Sequence, residues 1–159
     1  MLNTPIGQTF SAENLAGLAP RQRIHLILLA VTNVAASTEF YQRLGWKIAR
    51  SSSPEFTKID LGGHALCLIS RSAFAQDALQ PETQPTGFSG IGFIYLAQTA
   101  EEVPRILAKA EEAGGTIVKP ATRTAWGIAG YFKDPDGHLF EVDFEETWVF
   151  DQNHHLVIE

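Results

Sequence analysis

The sequence predicts an α+β fold in which two βαβββ modules form a curved, mixed eight-stranded sheet around a cleft. Three observations predict it: a strand-helix-strand-strand-strand order that occurs twice, an equal interval from helix start to closing glycine in both copies, and a Gly-His pair at the start of each last strand. Such a repeat indicates one supersecondary unit used twice. Two units set side by side can curl around a shared concavity, which is the natural place for a ligand.

The first module spans residues 23–72 and follows an N-terminal arm, residues 1–22, that shows no periodicity. Asn33 is placed to cap the helix, and Gly45 to end it. Gly62-Gly63 predicts the hairpin turn between the last two strands. The predicted elements are a strand at 23–31, a helix at 34–44, and strands at 46–50, 56–61 and 64–70.

A linker at 73–89, containing Pro81, Pro85 and Gly87, leads to the second module at 90–145. Thr99-x-x-Glu102 predicts a capping box at the start of its helix. The tail, residues 146–159, carries Trp148 and Phe150, and we expect these aromatic residues to pack on the body or on a partner. The predicted elements are strands at 91–97, 116–119, 126–132 and 138–144, with a helix opening at Thr99 and ending before Gly114.

The composition is that of a soluble globular protein and excludes several classes of partner. Hydrophobic residues make up 45% and charged residues 19% of the chain, which is ordinary for such a protein. A net charge of -6 leaves no basic cluster for phosphates, so we expect neither nucleic acid nor a membrane as partner. The lone Cys67 excludes an intrachain disulfide, and a start without a signal-peptide pattern favours a cytoplasmic location.

Two motifs carry a resemblance to a known family. They are Phe40-Tyr41-x-x-Leu44-Gly45-Trp46 and Asp134-Pro135-Asp136-Gly137-His138-Leu139-Phe140-Glu141-Val142. With the duplication, they make residues 23–145 resemble a single domain of the vicinal oxygen chelate superfamily, also called the glyoxalase/bleomycin resistance/dioxygenase superfamily. The resemblance implies the fold, but it does not select the chemistry, because the superfamily includes lyases, epimerases, dioxygenases and non-catalytic binders.

The resemblance also implies four strand positions that hold a metal in members that use one. Carried over one at a time, these positions are Leu26, Cys67, Ile91 or Tyr95, and Glu141. A divalent transition metal needs at least three good ligands, and this set does not supply them. We therefore expect no metal or other cofactor. The alternative is a divalent metal on Glu141 and His25, since a one-residue slip or a β-bulge in the first strand would turn His25 inward.

Glu141 is the main candidate for function. It lies mid-strand between Phe140 and Val142, inside the predicted concavity, so it is either a ligand anchor or general base, or a carboxylate paired with a basic side chain or a backbone donor. Asp143 shares its face, and two carboxylates at this spacing repel each other unless one is protonated or solvated. Both are candidate ligand-binding residues.

Cys67, Tyr95 and Trp126 are the other candidate ligand-binding residues. Cys67 is either a small core residue or a contact in the cleft. Trp126 precedes Gly127 and Gly130, and glycines permit close approach of a ligand to the backbone. Its indole would stack on a flat substrate or form a lid on the core.

Three functions follow, in order of preference. The first is a metal-independent protein that binds a small organic molecule in the cleft, anchored by Glu141 with aromatic walls. The second is a metal-dependent lyase or isomerase resembling lactoylglutathione lyase, with Glu141 as base. The third is a ring-cleaving dioxygenase, which needs two histidines beside the glutamate. We expect a homodimer, and the sequence leaves open whether the modules pair within one chain or between two.

Overall fold

The structure is a computed structural model that describes residues 22–83 and 86–158, so the predicted arm lies outside it except for Gln22. The elements, in chain order, are β1 (Leu26–Val31), α1 (Val34–Leu44), β2 (Phe56–Asp60), β3 (Ala65–Ser70), α2 (Arg71–Asp77), β4 (Phe93–Leu96), α3 (Glu102–Ala113), β5 (Thr116–Arg123), β6 (Gly127–Lys133), β7 (Leu139–Glu145), β8 (Val149–Phe150) and β9 (Leu156–Val157).

The predicted α+β fold with a duplicated unit is confirmed. The first sheet has the order β1-β3-β2 and the second β4-β7-β6-β5. In both sheets the first strand pairs in parallel with the last strand of its module, and the remaining pairs are antiparallel. The two modules therefore have the same topology.

One predicted strand, at 46–50, is wrong, because this segment is irregular. Trp46 packs its indole on Tyr41, with ring centroids 5.5 Å apart, and so holds the start of the segment over the end of α1. The Ala49 amide still donates to the Lys58 carbonyl at 2.8 Å, beside β2. The first sheet thus has one strand fewer than the second.

Local chemistry explains the ends of α1. The Asn33 side chain accepts a hydrogen bond from the Ala36 amide at 2.9 Å, as a helix cap does. Gly45 ends the helix in the left-handed region, with φ of 104°, where a residue with a Cβ is strained. Both predictions at this helix are confirmed.

One local prediction in the rest of the chain is wrong, and one helix was not predicted. Thr99 does not cap α3; that helix starts at Glu102, whose carboxylate accepts the Gln98 amide at 2.9 Å. The short helix α2 overlaps the start of the predicted linker, and the Ser70 side chain caps it by accepting the Ala73 amide. Ser70 favours a helix start because its hydroxyl accepts a hydrogen bond from an N–H group that would otherwise have no partner.

The two modules share one hydrophobic core between their sheets and helices. Phe40 of α1 lies 6.5 Å, centroid to centroid, from Phe132 of β6. At the end of β1, the Thr32 amide donates to the Asp136 carboxylate in the β6–β7 turn at 2.7 Å. The helix-bearing sides of the modules therefore face each other within the chain.

The tail forms the hairpin β8–β9 and contacts the body through His154, whose Nδ1 lies 2.7 Å from the Gln98 amide nitrogen. Trp148 remains 39% exposed. The tail thus contacts the body through a polar pair, while neither Trp148 nor Phe150 belongs to the shared hydrophobic core of the described residues. Among the described residues, no helix combines the length and apolar character that crossing a membrane requires.

Candidate functional site

The last long strand, β7, separates a core face from a polar face. Successive side chains of a strand point to opposite sides. Phe140 and Val142 are buried in the core, so Glu141, Asp143 and Glu145 lie on the other side of the sheet. We call these three residues, with Tyr131 opposite Glu141, the carboxylate face.

Glu141 lies at the centre of this face and is half-buried. Its neighbours across the sheet are Ile94 on β4 and Tyr131 on β6. A hydrogen bond to Glu141, together with burial and the charges of Glu141 and Asp143, raises the pKa of Tyr131 to about 12. The phenol therefore keeps its proton at neutral pH and can donate to the carboxylate that it pairs with across the sheet.

Asp143 is more deeply buried than Glu141, with 7% of its surface exposed. Burial raises its pKa, and the charges of Glu145 and Glu141 and a hydrogen bond with Glu145 raise it further, against one lowering contribution from the Phe144 amide. The strand therefore holds a carboxyl group that keeps its proton to a higher pH than an ordinary aspartate. Such a group can donate as well as accept.

On the corresponding face of the first module, the edge strand β1 presents apolar side chains, whereas Lys58 and Asp60 of β2 lie farther from that edge. Leu26 pairs with Ala65 and Leu28 with Cys67, so these side chains share the side of the sheet away from α1. We call this the apolar face. Cys67 has no accessible surface, and burial raises the pKa of its thiol, opposed by the charge of Lys58. The prediction that Cys67 contacts a ligand needs correction, because a ligand cannot reach its sulfur in this arrangement.

His25 precedes β1 and is exposed. Its carbonyl accepts the Ala65 amide at 2.9 Å, and the β1–β3 register runs without a shift from Leu26 to Val31. Leu26 therefore lies on the same side of the sheet as Cys67, as its sequence position predicted. The β1–β3 pairing contains neither the slip nor the bulge that would turn His25 inward.

Tyr95 does not share a face with Glu141. It pairs with Val142 on β7, whereas Ile94 is the neighbour of Glu141. Tyr95 is instead 44% exposed at a cleft of about 950 Å³ on the helix side of the sheets. This aromatic cleft is lined by Ile27 and Leu66 of the first module and by Trp46, Phe93, Tyr95 and Phe140. The aromatic walls and the glutamate, predicted to form one site, lie on opposite sides of the second sheet.

Trp126 lies in the β5–β6 turn and is 76% exposed. The nearby glycines serve packing within the protein. A Cβ at Gly130 would meet the Leu107 side chain of α3 and come within 2.9 Å of the Lys119 carbonyl, and one at Gly127 would meet the Phe144 carbonyl. The predicted close approach is thus made by neighbouring protein atoms, and Trp126 itself remains an exposed aromatic at the end of the sheet.

Sequence reasoning underestimated Asp134. It is 3% exposed, and its Oδ1 accepts the amides of Asp136 and His138, as a turn carboxylate should. Its Oδ2 additionally accepts the Tyr41 hydroxyl and lies 2.8 Å from His138 Nδ1. The two motifs that carry the family resemblance therefore meet in space. The only signal for this contact in the sequence was that both motifs are present.

The donor set does not fit a metal centre of the family's kind. Of the four positions, Leu26 has no donor atom and the Cys67 thiol is sealed in the interior. For the third position, Ile91 has no donor atom and precedes β4, and Tyr95 lies on the wrong side of the sheet. Glu141 alone is suitable. Within residues 22–83 and 86–158, no three His, Cys, Asp or Glu side chains lie close enough together to hold a metal ion.

Comparison with known proteins identifies the family. The model of the Glyoxalase/Bleomycin resistance protein/Dioxygenase superfamily matches residues 23–142. No curated protein sequence matches the chain significantly.

Solved structures share the fold over most of the chain. A glyoxalase-related enzyme from Fulvimarina pelagi is 24% identical with a TM-score of 0.79, and the match covers 86% of this chain and 98% of that one. A hypothetical protein from S. aureus is 30% identical with a TM-score of 0.66, covering 81% and 98%. A lactoylglutathione lyase from Agrobacterium tumefaciens is 20% identical with a TM-score of 0.61, covering 83% and 100%. At 24% and 20% identity, the first and the third similarities establish the fold alone.

Proposed function

Because the chain belongs to the Glyoxalase/Bleomycin resistance protein/Dioxygenase superfamily, we propose that it binds a small organic molecule on the carboxylate face without using a metal. The observation that carries this proposal is the environment of Glu141. Its carboxylate is half-buried on a strand, opposite the phenol of Tyr131, with no basic side chain paired to it among the described residues. Such a carboxylate is available to a ligand that carries a hydrogen-bond donor or a positive charge.

The neighbours of Glu141 support a role as an anchor. Tyr131, which pairs with Glu141 across the sheet, can donate to the carboxylate. Asp143, whose pKa is raised chiefly by burial, adds a group that donates when protonated and accepts when ionised. The face therefore selects ligands with polar groups that match this order of donors and acceptors.

The site is completed, in this proposal, by a second copy of the chain. Within one chain the helix-bearing sides of the modules face each other, so the carboxylate face and the apolar face point away from each other. Both β1 and β4 are edge strands, and Leu26 and Ile94 on them are 53% and 56% exposed. Exposed apolar edge strands are templates for pairing with another chain.

A twofold axis would place β1 of one protomer beside β4 of its partner, twice. Each combined sheet would then unite the apolar face of one protomer with the carboxylate face of the other. The resulting cup would hold an apolar body against Leu26 and Leu28 and a polar group against Glu141. The ligand class we propose is accordingly an amphipathic organic molecule with a donor or cationic group.

Thermal denaturation in the presence of a library of small amines, alcohols and amides tests the ligand class. Binding to the folded state raises the melting temperature with ligand concentration. Glu141→Gln should remove the response of the best compound, whereas Glu146→Gln, an exposed carboxylate just beyond β7, should retain it. Equal responses in both variants would remove Glu141 from the site.

Two further measurements separate the parts of the proposal. Elemental analysis of untagged protein should find no stoichiometric transition metal; about one ion per chain would favour the metal-dependent lyase or isomerase instead. Sedimentation should show a dimer that Ile94→Lys converts to a monomer, together with loss of the thermal response. A monomeric wild-type protein that still responds would place the whole site in one chain.

A further inference from the structure

The aromatic cleft is separate from the carboxylate face. Phe93 and Phe140 pair across β4 and β7 and point to the helix side, while Glu141, the next residue, points to the other side. The walls of the cleft come from both modules, with Ile27 and Leu66 facing Phe93 and Phe140. A volume of about 950 Å³ is within the range of clefts that bind small molecules, roughly 300–1,000 Å³.

The aromatic wall is held rigidly by the core. Trp46 stacks on Tyr41 with an interplanar angle of 29° and meets Phe140 edge-on at 6.4 Å. Phe93 lies 5.3 Å from Phe140. Tyr41 and Phe140 are buried, at 0% and 4% exposed. A ligand that stacks on these rings loses little free energy to ordering side chains, because the rings are already fixed.

Three polar residues lie along the first-module side of the cleft: Lys47, Asp60 and His64. Asp60 is engaged locally, since its Oδ1 accepts the Gly62 amide at 2.9 Å. Lys47 is exposed and forms no ion pair within the described part of the chain. Its ammonium group is therefore free to pair with an anionic group at the end of a ligand.

We propose that the aromatic cleft is a second binding site, for a planar aromatic molecule that carries a carboxylate. The ring system stacks among Trp46, Phe93 and Tyr95, and the carboxylate lies toward Lys47. This site differs from the proposed site at Glu141 in the side of the sheet, in the sign of its free charge and in the ligand that it selects. It does not depend on the function proposed above.

Isothermal titration calorimetry with 2-naphthoate tests the proposal, with the uncharged analogue 2-naphthamide as comparison. We expect 2-naphthoate to bind one per chain and 2-naphthamide to bind more weakly. Lys47→Gln should weaken 2-naphthoate up to about fivefold, as for an exposed ion pair, and leave 2-naphthamide unchanged. Tyr95→Thr, which keeps a good strand residue at an exposed position, should weaken both compounds about tenfold.

Matched controls locate the site. Lys133→Gln removes another exposed lysine, and Trp148→Ala removes an aromatic of the tail hairpin; neither should change the affinity. Three results would each overturn the proposal: no binding of 2-naphthoate at millimolar concentration, loss of binding in Glu141→Gln with Tyr95→Thr unaffected, or conversion of a dimer to monomers by 2-naphthoate. The last result would mean that a second copy occupies the cleft.

Discussion

Tyr41, on the helix of the first module, donates a hydrogen bond of 2.8 Å to the carboxylate of Asp134, in the last turn of the second. Both side chains are almost completely buried, at 0% and 3% exposed. Burial raises the pKa of Tyr41 well above its usual range, and the charge of Asp134 and the hydrogen bond to it raise it further. The phenol is thus a permanent donor, and the bond joins residues far apart in the sequence.

Tyr41→Phe should destabilise the fold by about 1–3 kcal/mol, because it leaves a buried carboxylate oxygen with one donor fewer while the ring packing is kept. Urea unfolding measures the change. Tyr95→Phe removes a hydroxyl from a residue that is 44% exposed and should change stability by less than about 0.5 kcal/mol. Equal effects of the two substitutions would mean that the bond to Asp134 contributes no specific stability.

Gly130→Ala should destabilise the fold by about 1–3 kcal/mol through overpacking. The new Cβ would come within 2.9 Å of the Lys119 carbonyl and 3.1 Å of the Ala121 amide nitrogen, which are backbone atoms that cannot easily move. Gly92→Ala is the control, since its Cβ would meet nothing within 4 Å. Unfolding curves that show a milder loss at position 130 than at position 92 would contradict this account.

Asp143→Asn should raise the melting temperature at pH 7. The folded pKa of Asp143 is raised, chiefly by burial, so folding favours its protonated form. Its contribution to stability is complete below the unfolded pKa, about 3.9, and is lost as pH rises through the folded pKa. The difference in melting temperature between the variant and the wild-type protein should therefore shrink as pH falls from 7 to 4.

Calorimetric melting at several pH values measures this effect, with the exposed Asp77→Asn as control. The control should follow the wild-type protein throughout. An advantage of Asp143→Asn that grows on acidification would show that the ionised form is the one favoured by the fold.

Cys67 should resist alkylation by iodoacetamide in the native protein. The thiol has no accessible surface and burial raises its pKa, so both access and thiolate formation are reduced. We expect a rate on the order of 100-fold below that of the urea-unfolded chain. Mass spectrometry gives an unambiguous readout because the chain has 1 cysteine. Similar rates in both states would show that the first sheet opens readily.

The elements set by local chemistry were the predictable ones. Asn33 and Gly45 define the ends of α1 through a side-chain cap and a left-handed φ, and both effects act within a few residues. The alternation around Glu141 likewise identified its face. The duplicated pattern likewise predicted that both modules repeat one order of elements.

Several of the remaining features depend on contacts that no local pattern encodes. The face of Tyr95 follows from its pairing with Val142, and a one-residue difference in register reverses it. Residues 46–50 do not join the sheet because Trp46 packs against Tyr41 and Phe140. The separation of the aromatic cleft from Glu141 combines both effects, so composition and spacing could not reveal it.

The bonds Tyr41–Asp134 and Thr32–Asp136 have a consequence for the history of the duplication. The second half, cut from the first, would leave the Asp134 carboxylate without its Tyr41 donor, and each half would expose its part of the shared core to water. A single unit of this kind would need a second copy to cover the same apolar side. The repeats have become mutually dependent, and a truncated gene that encodes one of them should yield an insoluble product.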